Sequence, residues 1–84
     1  MSPFGQIDAL NFCVEAKDSG RAEQLAHKIK GAAGNVGAPG LQKIAQTMEE
    51  AARTGDPGRL EDGMDDLLRE FALLRQAMTG VEQI

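Results

Sequence analysis

The chain has no tryptophan, no tyrosine and only three phenylalanines. Base recognition by stacking needs flat aromatic side chains, so the sequence argues against a nucleic-acid surface. Charge points the same way. Lys and Arg number 9, Asp and Glu 13, for a net charge of -4, whereas nucleic-acid binders are usually basic. One cysteine and one histidine leave no material for a disulfide framework or a multi-ligand zinc site. A single thiol flanked by apolar residues suits a reducing compartment, so the expected location is cytoplasmic. No apolar run approaches the roughly 18–20 residues of a membrane span, which predicts no membrane insertion. No charged start followed by an apolar stretch marks a signal peptide. What is present is 84 residues, 42% hydrophobic and 26% charged. That balance describes one globular domain, near the size at which a single core only just suffices.

Four segments carry helical period. The first covers about 3–17, with Ile7, Leu10 and Val14 on one stripe, Phe4 before them, and Phe12, Cys13 and Ala16 widening it. Asp18-Ser19-Gly20 then supplies turn chemistry. The second covers about 20–36, with Ala22, Leu25, Ile29, Ala32, Ala33 and Val36 at helical spacing. Gly37 fits the left-handed position that stops a helix. Pro39 opens the third, about 39–54, where its missing N–H has no intrahelical partner anyway. Leu41, Ile44, Ala45, Met48, Ala51 and Ala52 give it an amphipathic face. Thr54-Gly55 ends it. Asp56-Pro57 starts the fourth, about 57–79, as N-cap and first helical residue. Its stripe is Leu60, Met64, Leu67, Leu68, Phe71, Leu74 and Met78. Gly80 releases a frayed tail over 80–84. No segment alternates at period two, so no strand is expected. Links of about three residues force neighbouring helices to run antiparallel. The expected fold is all-α, an antiparallel up-down-up-down four-helix bundle occupying 1–84, with a three-helix bundle and a loose first segment as the alternative.

One stretch breaks the rules of a stable bundle. At about 100° per residue, the apolar set of the second helix lies nearly opposite His27, which therefore points outward. Gly31 and Gly34 fall within about 40° of it, one and two turns further on. Each is inside the helix, where glycine costs on the order of 1 kcal/mol relative to alanine. They gain nothing for the core, but they clear side chains from the ground around the imidazole. Between Arg21 and Lys43 the chain holds Arg21, Lys28, Lys30 and Lys43 against Glu23 alone. Lys30 is three residues after His27, within reach on a neighbouring face. The fourth helix carries Glu61, Asp62, Asp65, Asp66 and Glu70, a cluster of opposite sign. A basic area around an exposed histidine attracts an acidic partner or a phosphoryl group. Taken singly, an exposed histidine can be idle surface, paired glycines can mark close helix packing, and a basic patch can be a solvated face. Their coincidence in one segment favours a site.

These residues resemble the histidine-containing phosphotransfer (HPt) domain family. Its signature, His-x-x-Lys-Gly followed six residues later by a second glycine and a small residue, reads here as His27, Lys30, Gly31 and then Gly37-Ala38. Many members carry serine after Lys-Gly, where this chain has Ala32 and Ala33. Many also have a longer first helix or an extra helix before it. The resemblance implies a phosphorelay intermediate of two-component signalling. His27 would take a phosphoryl group from a receiver-domain aspartyl phosphate and pass it to another receiver aspartate. Response-regulator receiver domains and a sensor or hybrid histidine kinase are the implied partners. Mg²⁺ would sit on the receiver, with no cofactor on this chain. The chemistry agrees with that reading: an imidazole of reference pKa about 6.5 offers a ring lone pair near neutrality, and phosphoryl transfer needs mainly positioning and charge neutralisation. No Gly-rich phosphate loop is present for ATP, so no kinase activity is expected. Lys30 would neutralise the phosphoryl oxygens, Lys28 steer docking, and Gly31 and Gly34 admit the receiver. An antiparallel third helix brings residues about 46–50 level with His27, where family members often hold the ring with a polar side chain. Gln46, Glu49 and Glu50 are the candidates, and Glu49 is favoured because Met48 must face the core.

Two other functions compete. The chain could be a non-catalytic helical interaction module or a receiver-binding decoy, against which stands the spacing of Lys30-Gly31 from His27. It could be an enzyme using Cys13 as nucleophile with His27 as base, against which stands the apolar setting of Cys13, that of a small buried hydrophobe.

Overall fold

The computed structural model describes the backbone of residues 3–82 and the side-chain surroundings of residues 6–74 and 76. Four helices account for it: α1 (Pro3–Glu15), α2 (Ser19–Asn35), α3 (Pro39–Thr54) and α4 (Pro57–Glu82). No strand occurs among the described residues. They pack as an all-helical bundle around one core, to which every helix contributes.

The three links share one stopping device. Lys17, Gly37 and Gly55 each take positive φ (59°, 70° and 69°). In each case the next residue donates its N–H back across the last turn: Asp18 to the Cys13 carbonyl at 2.9 Å, Ala38 to Ala33 at 2.8 Å, Asp56 to Ala51 at 2.9 Å. This satisfies carbonyls that a helix end would otherwise leave bare. Glycine adopts that conformation without penalty at 37 and 55. At the first link the residue is Lys17, so the chain reverses before the Asp18-Ser19-Gly20 turn signal, and Gly20 lies in the first turn of α2. Asp18 and Asp56 then cap the following helices by accepting from the N–H of Arg21 (3.3 Å) and Arg59 (3.2 Å). Ala38 has no side chain to do this, and α3 starts on Pro39.

Ile7, Leu10 and Val14 of α1 are buried as the spacing predicts, as are Leu41, Ala45, Met48, Ala51 and Ala52 of α3. The stripes differ from expectation in α1, α2 and α4. Phe12 is 70% exposed, Cys13 taking the inward place beside it. In α2 the inward face is Ala22, Ala26, Ile29 and Ala33; Leu25 is half-buried and Val36, in the link, is 74% exposed. The core face is thus rotated toward the alanines, which let α2 lie close to its neighbours. In α4, Leu60, Met64 and Leu67 are buried, while Leu68 and Leu74 remain exposed. The helix also runs through Gly80 to Glu82, past the boundary expected near residue 79. The side chains of Phe4 and Met78, and residues 83–84 of the tail, lie outside the described residues. Among the described residues no helix is long and apolar enough to cross a membrane.

Candidate functional site

α2 and α3 lie side by side, and the site is built across their contact. His27 projects from the middle of α2 with its side chain 67% exposed. Its Nδ1 lies 3.0 Å from Oε2 of Glu49 on α3. Glu49 is the one buried charged residue among those described, at 8% exposure. A carboxylate buried to that degree needs partners, and it has them. Lys30 Nζ donates to its Oε1 at 2.8 Å. Arg53, one turn further along α3, places a guanidinium nitrogen 3.7 Å from Oε2.

These contacts fix the protonation pattern. The hydrogen bond from Lys30 holds the Glu49 carboxyl below the usual carboxylate range; burial opposes this and the hydrogen bond to His27 reinforces it. An ionised carboxylate can only accept, so the imidazole donates from Nδ1. In the neutral ring the free lone pair is then on Nε2. The side chain that orients the ring is thereby itself oriented, by a lysine one turn from the histidine.

The expected site residues fall into two groups. His27, Lys30 and Glu49 are joined by direct contacts. Lys28 is exposed and lines a surface depression of about 430 Å³ together with Glu23, Gln24, His27 and Glu49. Gly31 is exposed, and a Cβ placed there would meet nothing within 4 Å. Gly34 is placed differently: a Cβ there would come within 3.1 Å of the Gln42 amide of α3. It therefore borders the α2–α3 contact and does not extend the open ground around Gly31. Gln46 and Glu50 are exposed, and no described hydrogen bond or ion pair ties either to the ring.

Arg53 and Glu23 were not anticipated. Arg53 Nε donates to Glu23 Oε2 at 3.2 Å, so one guanidinium links a residue one turn before His27 to the carboxylate behind it. Their spacings carry the signal: Glu23 is four residues before His27, Arg53 four after Glu49, and so each lies one turn from a site residue on its own helix. Cys13 is buried in α1, in the core cluster. No cluster of three or more His, Cys, Asp or Glu suited to a metal ion occurs among the described residues.

The family model of the Hpt domain matches residues 5–84. No curated protein and no solved structure matches the chain.

Proposed function

The chain belongs to the Hpt domain family, whose members are phosphocarriers of two-component signalling and not kinases, and from that premise we propose that His27 is the phospho-acceptor of a phosphorelay. The observation that carries the proposal is the Nδ1 contact to Glu49 at 3.0 Å on a ring that is otherwise exposed. With Nδ1 occupied, Nε2 is the nucleophile. Its lone pair forms a bond to phosphorus while the bond from phosphorus to the aspartyl oxygen of the donor receiver breaks. That electron pair returns to the donor's carboxylate. The ring keeps its Nδ1 proton and gains positive charge, which the Glu49 carboxylate faces. Transfer to the second receiver is the same step reversed onto another aspartate.

Lys30 and Glu49 orient the imidazole in this scheme, and Gly31 leaves room for the receiver's active-site loop. Mg²⁺ and its acidic ligands belong to the receiver, and a sensor or hybrid histidine kinase stands upstream. A cytoplasmic setting follows from those partners. The course of the helices that presents the site is up-down-up-down. The residue pairs His27–Glu49, Glu23–Arg53 and Gly34–Gln42 support it, because residue number falls along α2 as it rises along α3. So do Met48–Gly63 and Gly40–Glu70 for α3 and α4.

The test is incubation with a phosphorylated receiver. The expected product is an acid-labile, base-stable phosphoprotein that is absent from His27→Gln. A chain that binds the receiver yet never acquires phosphorus would establish the interaction-module or decoy reading instead. The Cys13 enzyme reading is disfavoured by the burial of that thiol.

A further inference from the structure

We propose that Lys28 is a catalytic residue of the transfer, the cation that meets the phosphoryl oxygens at His27, while Lys30 serves the ring through Glu49. This deepens the phosphocarrier reading above and rests on it. The cations near the ring differ in what they already hold. Lys30 has its ammonium on Glu49 at 2.8 Å, with its side chain only 29% exposed. Turning it to a phosphoryl group would weaken the contact that keeps Glu49 ionised and aimed at Nδ1. Arg53 is shared between Glu23 at 3.2 Å and Glu49 at 3.7 Å. Lys28 is exposed and has no ion pair or side-chain hydrogen bond among the described residues, yet it lines the same depression as His27 and Glu49.

The chemistry of the side chain suits the task. A lysine ammonium is a compact charge on a flexible stem with three rotatable donors. It can follow a group that arrives on one partner and leaves on another. The phosphoryl oxygens carry the negative charge that develops during transfer, and a cation beside them lowers the barrier. Glu23 also lines the depression and would repel those oxygens. Arg53 on its Oε2 offsets that charge.

Docking and chemistry are separated by a donor too small to dock. With phosphoramidate, the Nε2 lone pair forms the bond to phosphorus, the phosphorus–nitrogen bond of the protonated donor breaks, and its electron pair leaves on ammonia. The experiment compares wild type, Lys28→Gln and Lys28→Arg, with folding checked by circular dichroism. Lys28→Gln is expected to slow phosphorylation of His27 by phosphoramidate about tenfold, an exposed cation in water lying below the range of a buried donor. Lys28→Arg should restore most of the rate. If Lys28→Gln matches wild type with phosphoramidate, the proposal is overturned, and slowing confined to a phosphorylated receiver would make Lys28 a docking residue only. If wild type takes no phosphorus at His27 from either donor, the phosphocarrier reading itself fails. That result is distinct, because it is seen before any Lys28 variant is compared.

Discussion

Gly31 and Gly63 both sit inside helices, yet a methyl added to the first meets nothing within 4 Å, and one added to the second lands 2.5 Å from Met48 Cγ. Both glycines weaken their helices by a similar intrinsic amount. What each provides differs. Gly63 is buried and lets α4 approach α3 over Met48, which is itself fully buried. Gly31 brings no element closer and leaves open ground one turn beyond the exposed His27. The same residue type is a packing device on one side of the bundle and a clearance on the other. Nothing in the composition separates the two; what stands opposite each Cα does.

Substitutions can break that contrast. The largest effect is expected from Gly63→Val. Met48 has no exit to solvent, so the added bulk forces strain of about 2–3 kcal/mol, read as a lower urea midpoint. Phosphoryl acceptance by the fraction that stays folded should be unchanged. Gly31→Gln should do the reverse. Its helix gains up to about 1 kcal/mol from better propensity, while transfer from a phosphorylated receiver slows at least about tenfold, a barrier increase of about 1.4 kcal/mol. If Gly31→Gln unfolds the protein, Gly31 is a packing residue and the contrast is lost. Gly34→Ala sharpens it with the smallest effect. The Gln42 amide 3.1 Å away is the far end of a flexible side chain, so it can move aside. Stability should change by under about 1 kcal/mol, with the propensity gain set against the displaced amide, and transfer should keep its wild-type rate.

How far this could be read from the sequence follows from the physics of each residue. The bounds of α3 were legible because Pro39 and Gly55 act locally, through fixed φ and positive φ. The outward direction of His27 was legible because helical period fixes the angle between residues regardless of neighbours. Glu49 was legible once Met48 had to face inward. Helical spacing puts Val36 on the core stripe, but α2 ends at Asn35, so Val36 falls in the link. Helical angle alone groups Gly34 with Gly31, and only the position of α3 reveals Gln42 opposite it. Spacing puts Glu23 and Arg53 one turn from His27 and Glu49 on their own helices, but the Arg53–Glu23 contact that joins them crosses between helices and is not encoded in that spacing. Lys17 stopped α1 although lysine is an uncommon choice for positive φ.

Glu49 has a consequence for partly opened molecules. Its contacts to His27 and Lys30 cross from α3 to α2 and are made by side chains alone. If those two helices part by a few ångströms, the imidazole loses its directing carboxylate while the rest of the core can still be intact. On the proposed function, a copy loosened there would lose phosphoryl acceptance before it unravels, and the alignment of α2 and α3 would decide which molecules carry phosphorus.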